Sequence, residues 1–528
     1  MLSPTFDPLG NIWLSAAVAA VPIILFLLGL TVLKLKGLHA ALLTLAVTLV
    51  LSFYPFGLPV GAAIGAVVQG MLTGFWPIGY IIIMAVWLYR LTVVSGKIDV
   101  IKSSLTMVSS DQRIQLLLIA FCFGAFLEGA AGFGVPIAIC SVMLAALGFN
   151  PLQAAMLCLV ANAAAGAWGA IGIPVAIVDT FKLDGVTAIG VSKTANLTLP
   201  IVAATVPFLL VWIVDGFKGI KETLPAILVT SVVFTVSQMV VSYFVGPELV
   251  DILPPLLALV ALALLCMKWK PSNIFRIVPE DESSKAAHSF GEIVNAWMPF
   301  ILLSVAVILW SMPFFKGLFA EGAALAFTNI KLDVQPGEGA MPVTFDLGKA
   351  TGTAILAAVL VTIFTNGKTL PPAKAFGVLK ETCKSFWIGI VTVSCILAIA
   401  KLTTYTGMTK VLGEAVSETG AVFPLLSPVL GWIGVFMTGS VVNNNTLFAP
   451  VQSVVAGKLG IDPNVLVAAN TAGGAMGKLV SPQSIAIATG ALEKVGEESS
   501  VLKMVLKYSI GLLVFVCAWT FVLSLLLK

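Results

Sequence analysis

Glu128 and Lys478 are the two ionisable side chains whose surroundings point to chemistry. Glu128 stands in Gly124-Ala125-Phe126-Leu127-Glu128-Gly129-Ala130-Ala131-Gly132-Phe133-Gly134-Val135-Pro136, inside an apolar run from Ile114 to Leu147. Holding a carboxylate at membrane depth costs roughly 3 kcal/mol or more, so such a residue marks an ion or substrate path by default. Its chemistry would be carriage of a proton. The other reading is a glycine-rich packing helix whose Glu pairs with a basic neighbour. Lys478, in Gly477-Lys478-Leu479, is the one cation that the span pattern leaves inside the bilayer. Three roles are open to it: holding a substrate carboxylate, pairing with Glu128, or snorkelling to the inner interface. Around them, Ser440, Asn443, Asn444, Asn445, Thr446 and Ser481 offer donors and acceptors suited to a hydroxyl and a carboxylate. They would serve equally to satisfy unwound backbone. Gly129, Gly132 and Gly134 free backbone N–H groups at a tip, and Asn162 and Asn470 stand at two further interruptions.

The elements that must position these groups are membrane helices. The chain has 528 residues, is 59% hydrophobic and 10% charged, and contains many apolar runs of spanning length. It reads as an all-α polytopic membrane protein. A net charge of +4 with no basic cluster among aromatics predicts no nucleic-acid partner. The seven cysteines, with no Cys-x-x-Cys, read as small apolar packing residues. His39 and His288 are isolated, and Gly473 to Leu479 lacks the first Gly and the final Ser or Thr of a phosphate loop. No catalytic residue, metal ligand or cofactor is expected. No basic residue precedes Lys34, so the first run reads as a retained span, with Phe6 and Trp13 as interface anchors.

Spans are expected near 11–33, 37–54, 76–95, 194–214, 223–244, 249–268, 292–312, 350–365, 386–402, 463–489 and 506–527, with a glycine-rich connector at 57–75. Residues 97–113 read as an amphipathic surface helix. Residues 114–148 read as a re-entrant hairpin with Glu128 near its tip, because glycine and proline break a helix and leave polar backbone that only protein or a water-filled cavity can satisfy. Asn150-Pro151 starts the next helix, which 162–174 should interrupt. A second irregular segment covers 421–457, with its tip at 437–446, and a second interruption covers 470–484. The loop 269–291 is polar. The loop 313–348, with Gly337-Glu338-Gly339, reads as soluble surface.

The chain repeats itself. Arg90-Leu91-Thr92 matches Lys401-Leu402-Thr403 at an offset of 311, and Gly124, Phe126 and Gly129 match Gly434, Phe436 and Gly439 at 310. Gly148 and Pro151 match Gly460 and Pro463 at 312, and Asn162, Gly166, Gly169 and Pro174 match Asn470, Gly474, Gly477 and Pro482 at 308. Seven expected spans separate the copies, and an odd number inverts the second. With the N-terminus outside, nineteen of the 29 basic residues fall inside, Lys34, Lys36, Lys97, Arg113, Lys285 and Lys368 among them, as the positive-inside rule requires. The expected plan is about 12 transmembrane helices plus two re-entrant hairpins in two inverted repeats, with both termini outside. Residues 1–74 hold the N-terminal spans, 75–214 the first repeat, 215–349 linking spans and loops, and 350–528 the second repeat. Inverted repeats with broken helices are the pattern of a secondary transporter whose site lies where the copies meet. An integral-membrane enzyme would need a His, Cys or paired-carboxylate constellation that the sequence lacks, and a passive channel has less use for broken repeats.

The central motif Phe123 to Gly134 resembles that of the bacterial L-lactate permease family. The likeness extends over nearly the whole chain, through Asp7-Pro8 with Gly10-Asn11-Ile12-Trp13-Leu14, Gly219-Ile220-Lys221-Glu222-Thr223, Gly246-Pro247-Glu248-Leu249 and Ser481-Pro482-Gln483-Ser484-Ile485-Ala486. It implies proton-coupled uptake of L-lactate, with D-lactate and glycolate, across the inner membrane, and a homodimer. Two positions depart from the family pattern. Val441 stands where an Asp is expected after Gly439-Ser440, and Asn162-Ala163-Ala164-Ala165-Gly166 lacks the expected Thr and Pro. Both fall at the expected site, so a sodium-coupled carrier of another short carboxylate is the alternative.

Overall fold

The computed structural model describes residues 7–132, 134–278, 288–334, 341–367 and 369–527; Phe6, Phe133, Lys285, Gly337-Glu338-Gly339 and Lys368 lie outside the described residues. Helices make up most of it. Among the described residues nine helices are long and apolar enough to cross a membrane, or ten if the pair Pro151–Ala164 and Gly169–Phe181, bent by 50°, is one span. The longest, Leu199–Phe244, is broken at Asp215 and Gly216 and so covers two of the expected spans. Gly37–Phe53, Val135–Ala146 and Thr351–Thr365 are apolar but shorter.

Burial sorts these helices. Leu228, Val232, Val236 and Val240 recur every four residues on one face and are all exposed, which suits lipid and not water. In the helix Phe290–Ser311 only 33% of the apolar window is buried, whereas Gln112–Ala130 is buried completely. The arm that carries Glu128 is therefore shielded from lipid by the rest of the chain.

That arm and Val135–Ala146 fold back on each other as the first hairpin, turning through Gly132 (φ 62°) and Gly134 (φ 84°), both left-handed conformations that favour glycine. The second hairpin pairs Phe423–Thr438 with Val441–Leu459. It turns at Gly439 (φ 68°) and Ser440, whose hydroxyl accepts the Asn443 N–H at 3.2 Å.

Four local expectations are corrected. The connector at 57–75 contains a helix, Val60–Thr73. Its glycines serve close approach: a Cβ on Gly70 would stand 2.3 Å from Ala398 Cα, and one on Gly74 2.2 Å from Ser394 Oγ. The interruption expected over 470–484 is confined to 479–481, between the helices Pro463–Lys478 and Pro482–Ala491. Gly473 and Gly477 stay helical and lay their backbone on Pro428 and Trp432. The surface helix ends at Met107, and Arg113, fully buried, lies in the first turn of the next one, Gln112–Leu116. The loop 313–348 carries a two-stranded antiparallel sheet, Asn329–Asp333 with Pro342–Asp346.

Gly473→Ala tests the close approach. The new Cβ would stand 1.9 Å from the Pro428 carbonyl oxygen, so two helices must part. Overpacking of this kind costs about 1–3 kcal/mol. A lower unfolding midpoint in detergent is expected, while Gly457→Ala, with nothing within 4 Å of its Cβ, leaves the midpoint unchanged. Equal midpoints for the two variants would refute the packing role.

Candidate functional site

Glu128 and Lys478, 350 residues apart, meet. Lys478 Nζ lies 2.5 Å from Glu128 Oε1, and Asn162 Nδ2 donates to Glu128 Oε2 at 2.9 Å. Both charged groups are buried, so the pair compensates two desolvated charges, with one hydrogen-bond donor on each carboxylate oxygen. Gly169 makes room for it, since a Cβ there would stand 2.3 Å from Glu128 Oε1.

Asn162 reaches Glu128 because the helix Pro151–Ala161 tightens and stops there. The chain then turns, and Ala170, Ile171 and Gly172 follow one another at φ 48°, 59° and 71°. Each non-glycine residue in that conformation costs roughly 1–2 kcal/mol, a strain that persists only where packing enforces it. Packing does: a Cβ on Gly172 would stand 2.5 Å from the Pro247 carbonyl oxygen, and the buried Trp168 donates its indole N–H to Ser192 Oγ at 3.2 Å.

A cavity of about 80 Å³ adjoins the pair. Three helix starts border it: Gly132 and Gly134 before Val135–Ala146, Ser440 to Val442 at the head of Val441–Leu459, and Gln483 and Ser484 at the head of Pro482–Ala491. Unpaired N–H groups at helix starts carry partial positive charge and attract anions. With Lys478 they make a small anion-attracting space that has one carboxylate, Glu128, on its wall. The space is far below the ~300–1,000 Å³ of pockets for drug-sized ligands and suits a solute of a few atoms. Val441, the departure from the expected acid, lies on this wall.

The other expected residues divide. Asn443 lines a second cavity of about 870 Å³, which meets the first at Ser440 and Gln483 and extends to Leu30, Gly37 and Ser385. Asn444, Asn445 and Asn470 do not line the small cavity but form an amide network. Asn445 Nδ2 donates to the Pro174 carbonyl at 2.7 Å, Asn470 Nδ2 donates to Asn445 Oδ1 at 2.9 Å, and Asn444 Nδ2 reaches the Asn470 carbonyl at 3.4 Å. The network ties the second hairpin to both interrupted helices. Ser481 caps Pro482–Ala491, accepting the Ser484 N–H at 3.1 Å. Gly129 lies against Asp251, its Cβ position 2.3 Å from the Asp251 carbonyl oxygen.

Sequence reasoning missed Gln483, Ile487 and Ala170 on the cavity wall, and Asp251 behind it. Gln483 had a signal, its place beside Pro482 at a helix start. Asp251, near the start of the expected span 249–268, drew no reading from the sequence.

The family described as L-lactate permease matches residues 15–527. The L-lactate permease of Halalkalibacterium halodurans is 57% identical, covering 100% of both chains. The L-lactate permease of Escherichia coli K12 is 40% identical over 97% of this chain and 96% of its own. The glycolate permease GlcA of the same organism is 40% identical over 98% of each. Among solved structures, the YdaH transporter of Alcanivorax borkumensis aligns over 86% of each chain with a TM-score of 0.47 and 17% identity.

Proposed function

The chain belongs to the L-lactate permease family, and on that premise we propose that it takes up L-lactate together with a proton, with D-lactate and glycolate as further substrates. It is a multi-pass transporter of the bacterial cell (inner) membrane, not an enzyme. The observation that carries the substrate class is the small cavity itself, where three helix starts and one ammonium favour a short carboxylate. The hydroxyl would meet Ser440 or Gln483. Glu128 is the proposed proton carrier. When a substrate carboxylate takes its place at Lys478, Glu128 loses its counter-charge, and a buried carboxylate without one is stable only when protonated. One anion entering thus brings in one proton.

The 870 Å³ cavity extends to Leu30 and Gly37, which flank Lys34 and Lys36, and to Ser385 beside Lys384. Those lysines belong to the side that the positive-inside rule assigns to the cytoplasm, so the state described here is inward-open under this reading. The two inverted repeats, each giving a hairpin and an interrupted helix to one site, and a homodimer of such units, are part of the same proposal. A sodium-coupled reading has one observation of its own: Asn443 Oδ1 and Asn444 Oδ1 are buried acceptors without a partner.

Uptake of labelled L-lactate into proteoliposomes decides between them. An inward proton gradient is expected to drive accumulation and a matched sodium gradient to drive none. Glu128→Gln should lower proton-driven accumulation at least about tenfold, the scale of a positioned proton-transfer group. Sodium-driven accumulation, or an unimpaired Glu128→Gln variant, would overturn the assignment.

A further inference from the structure

Asp251 sits in the turn between Pro247–Leu249 and the helix Leu253–Lys268. It is 1% exposed, and neither carboxylate oxygen has a hydrogen-bond partner. The Trp168 backbone N–H interacts with the Asp251 carboxylate only outside hydrogen-bond geometry, since it donates to the Ala165 carbonyl at 3.2 Å. The turn that holds Asp251 is clamped between the two working parts of the site. Gly129, next to Glu128, lies against the Asp251 carbonyl and Cβ, and Gly172 of the strained break lies against Pro247 and Glu248. The charges that act on Asp251 are Glu128 from the first hairpin and Lys478 from the helix Pro463–Lys478; Glu248 stands three residues before it in sequence.

The site thus holds two buried carboxyls and one ammonium. Glu128 has the ammonium and an amide donor; Asp251 has neither. An isolated buried carboxylate costs several kcal/mol, whereas the protonated carboxyl costs only what a neutral polar group does. Without substrate the charge count favours one proton on the pair, resting on whichever carboxyl Lys478 is not holding.

We propose that Asp251 is a second proton-carrying group of the transport centre, protonated while Lys478 is held by Glu128 and released from its proton when Lys478 turns to it. The O–H bond of Asp251 then breaks, and the proton passes to Glu128, the carboxyl that Lys478 has left. This rests on the symport reading above and adds to it the group with which Glu128 shares the proton.

Two measurements test it. In proteoliposomes Asp251→Asn is expected to keep L-lactate counterflow within about twofold, since exchange needs no net proton release, and to lose at least about tenfold of proton-driven accumulation. Accumulation equal to the unmodified protein's overturns the proposal, and so does loss of counterflow along with accumulation, which would assign Asp251 to folding or binding. In the unmodified protein, dicyclohexylcarbodiimide, an apolar reagent for protonated carboxyls, should label Asp251 at neutral pH, as read by peptide mass spectrometry. Label on Glu128 alone, or on neither residue, also overturns it. Failure of the unmodified protein to accumulate lactate under a proton gradient would sink the symport reading instead, and that result is read before either test.

Discussion

Lys478→Met should abolish transport, lowering both L-lactate counterflow and gradient-driven uptake by about 100-fold or more. Two effects add. On the proposed reading the substrate carboxylate loses its ammonium partner, and a hydrogen bond to a charged group is worth about 1.5–3 kcal/mol, or roughly 10- to 100-fold in affinity. Glu128 is left buried with only the Asn162 amide, a broken buried pair of the kind that costs about 3–5 kcal/mol. The second effect is separable. In Lys478→Met with Glu128→Gln no buried charge of the pair remains, so the unfolding midpoint should recover while transport does not. Wild-type counterflow in Lys478→Met would show that the ammonium lies off the substrate path.

Arg113→Met is expected to give a protein that is made poorly or unfolds at a much lower temperature. Arg113 is 0% exposed and holds three carboxylates: Asp111 Oδ2, Asp215 Oδ2 and Glu222 Oε2, each at 2.7 Å, while donating to the Asn273 carbonyl at 2.8 Å. It joins the foot of the first hairpin to the break at Asp215–Gly216 and to the stretch around Asn273. Without it Asp111, 1% exposed, is a buried charge facing two others, a loss of about 3–5 kcal/mol for that group. Arg113→Lys should restore only part of the stability, because a single ammonium lacks the guanidinium's planar fork of donors. The check is thermal unfolding followed by size-exclusion chromatography; a midpoint equal to the parent's in Arg113→Met would remove the clamp from the account.

The first hairpin was legible because a carboxylate, glycines and proline inside an apolar run have few structural uses, and the second because Gly434, Phe436 and Gly439 repeat Gly124, Phe126 and Gly129 at an offset of 310. The Glu128–Lys478 pair was one of three readings of Lys478, and only tertiary structure could choose among them. Glycine was where sequence reasoning erred in detail. It serves both to unwind a helix and to let two helices touch, and composition does not tell these apart. Gly70 and Gly74 looked like a connector, and Gly473 and Gly477 like a break, because the helices they touch come from distant parts of the chain. Arg113 looked like surface charge because its partners Asp215 and Glu222 lie about a hundred residues away, and Asp251 gave no sign because what singles it out is the lack of a partner.

The glycine contacts also bear on how the molecule can deform. Between Phe423–Thr438 and Pro463–Lys478 the backbones touch at Gly431, Gly473 and Gly477, where no side chain separates them. Surfaces meshed in that way neither slide nor roll over each other without first separating, so these two helices travel as one stiff plate, Lys478 fixed to its rim. On the proposed transport cycle the give falls at the 870 Å³ cavity, which Phe386, Gly389 and Val393 line together with Phe436 and Asn443. A crosslink across that cavity would jam the machine, whereas one within the plate would leave it running.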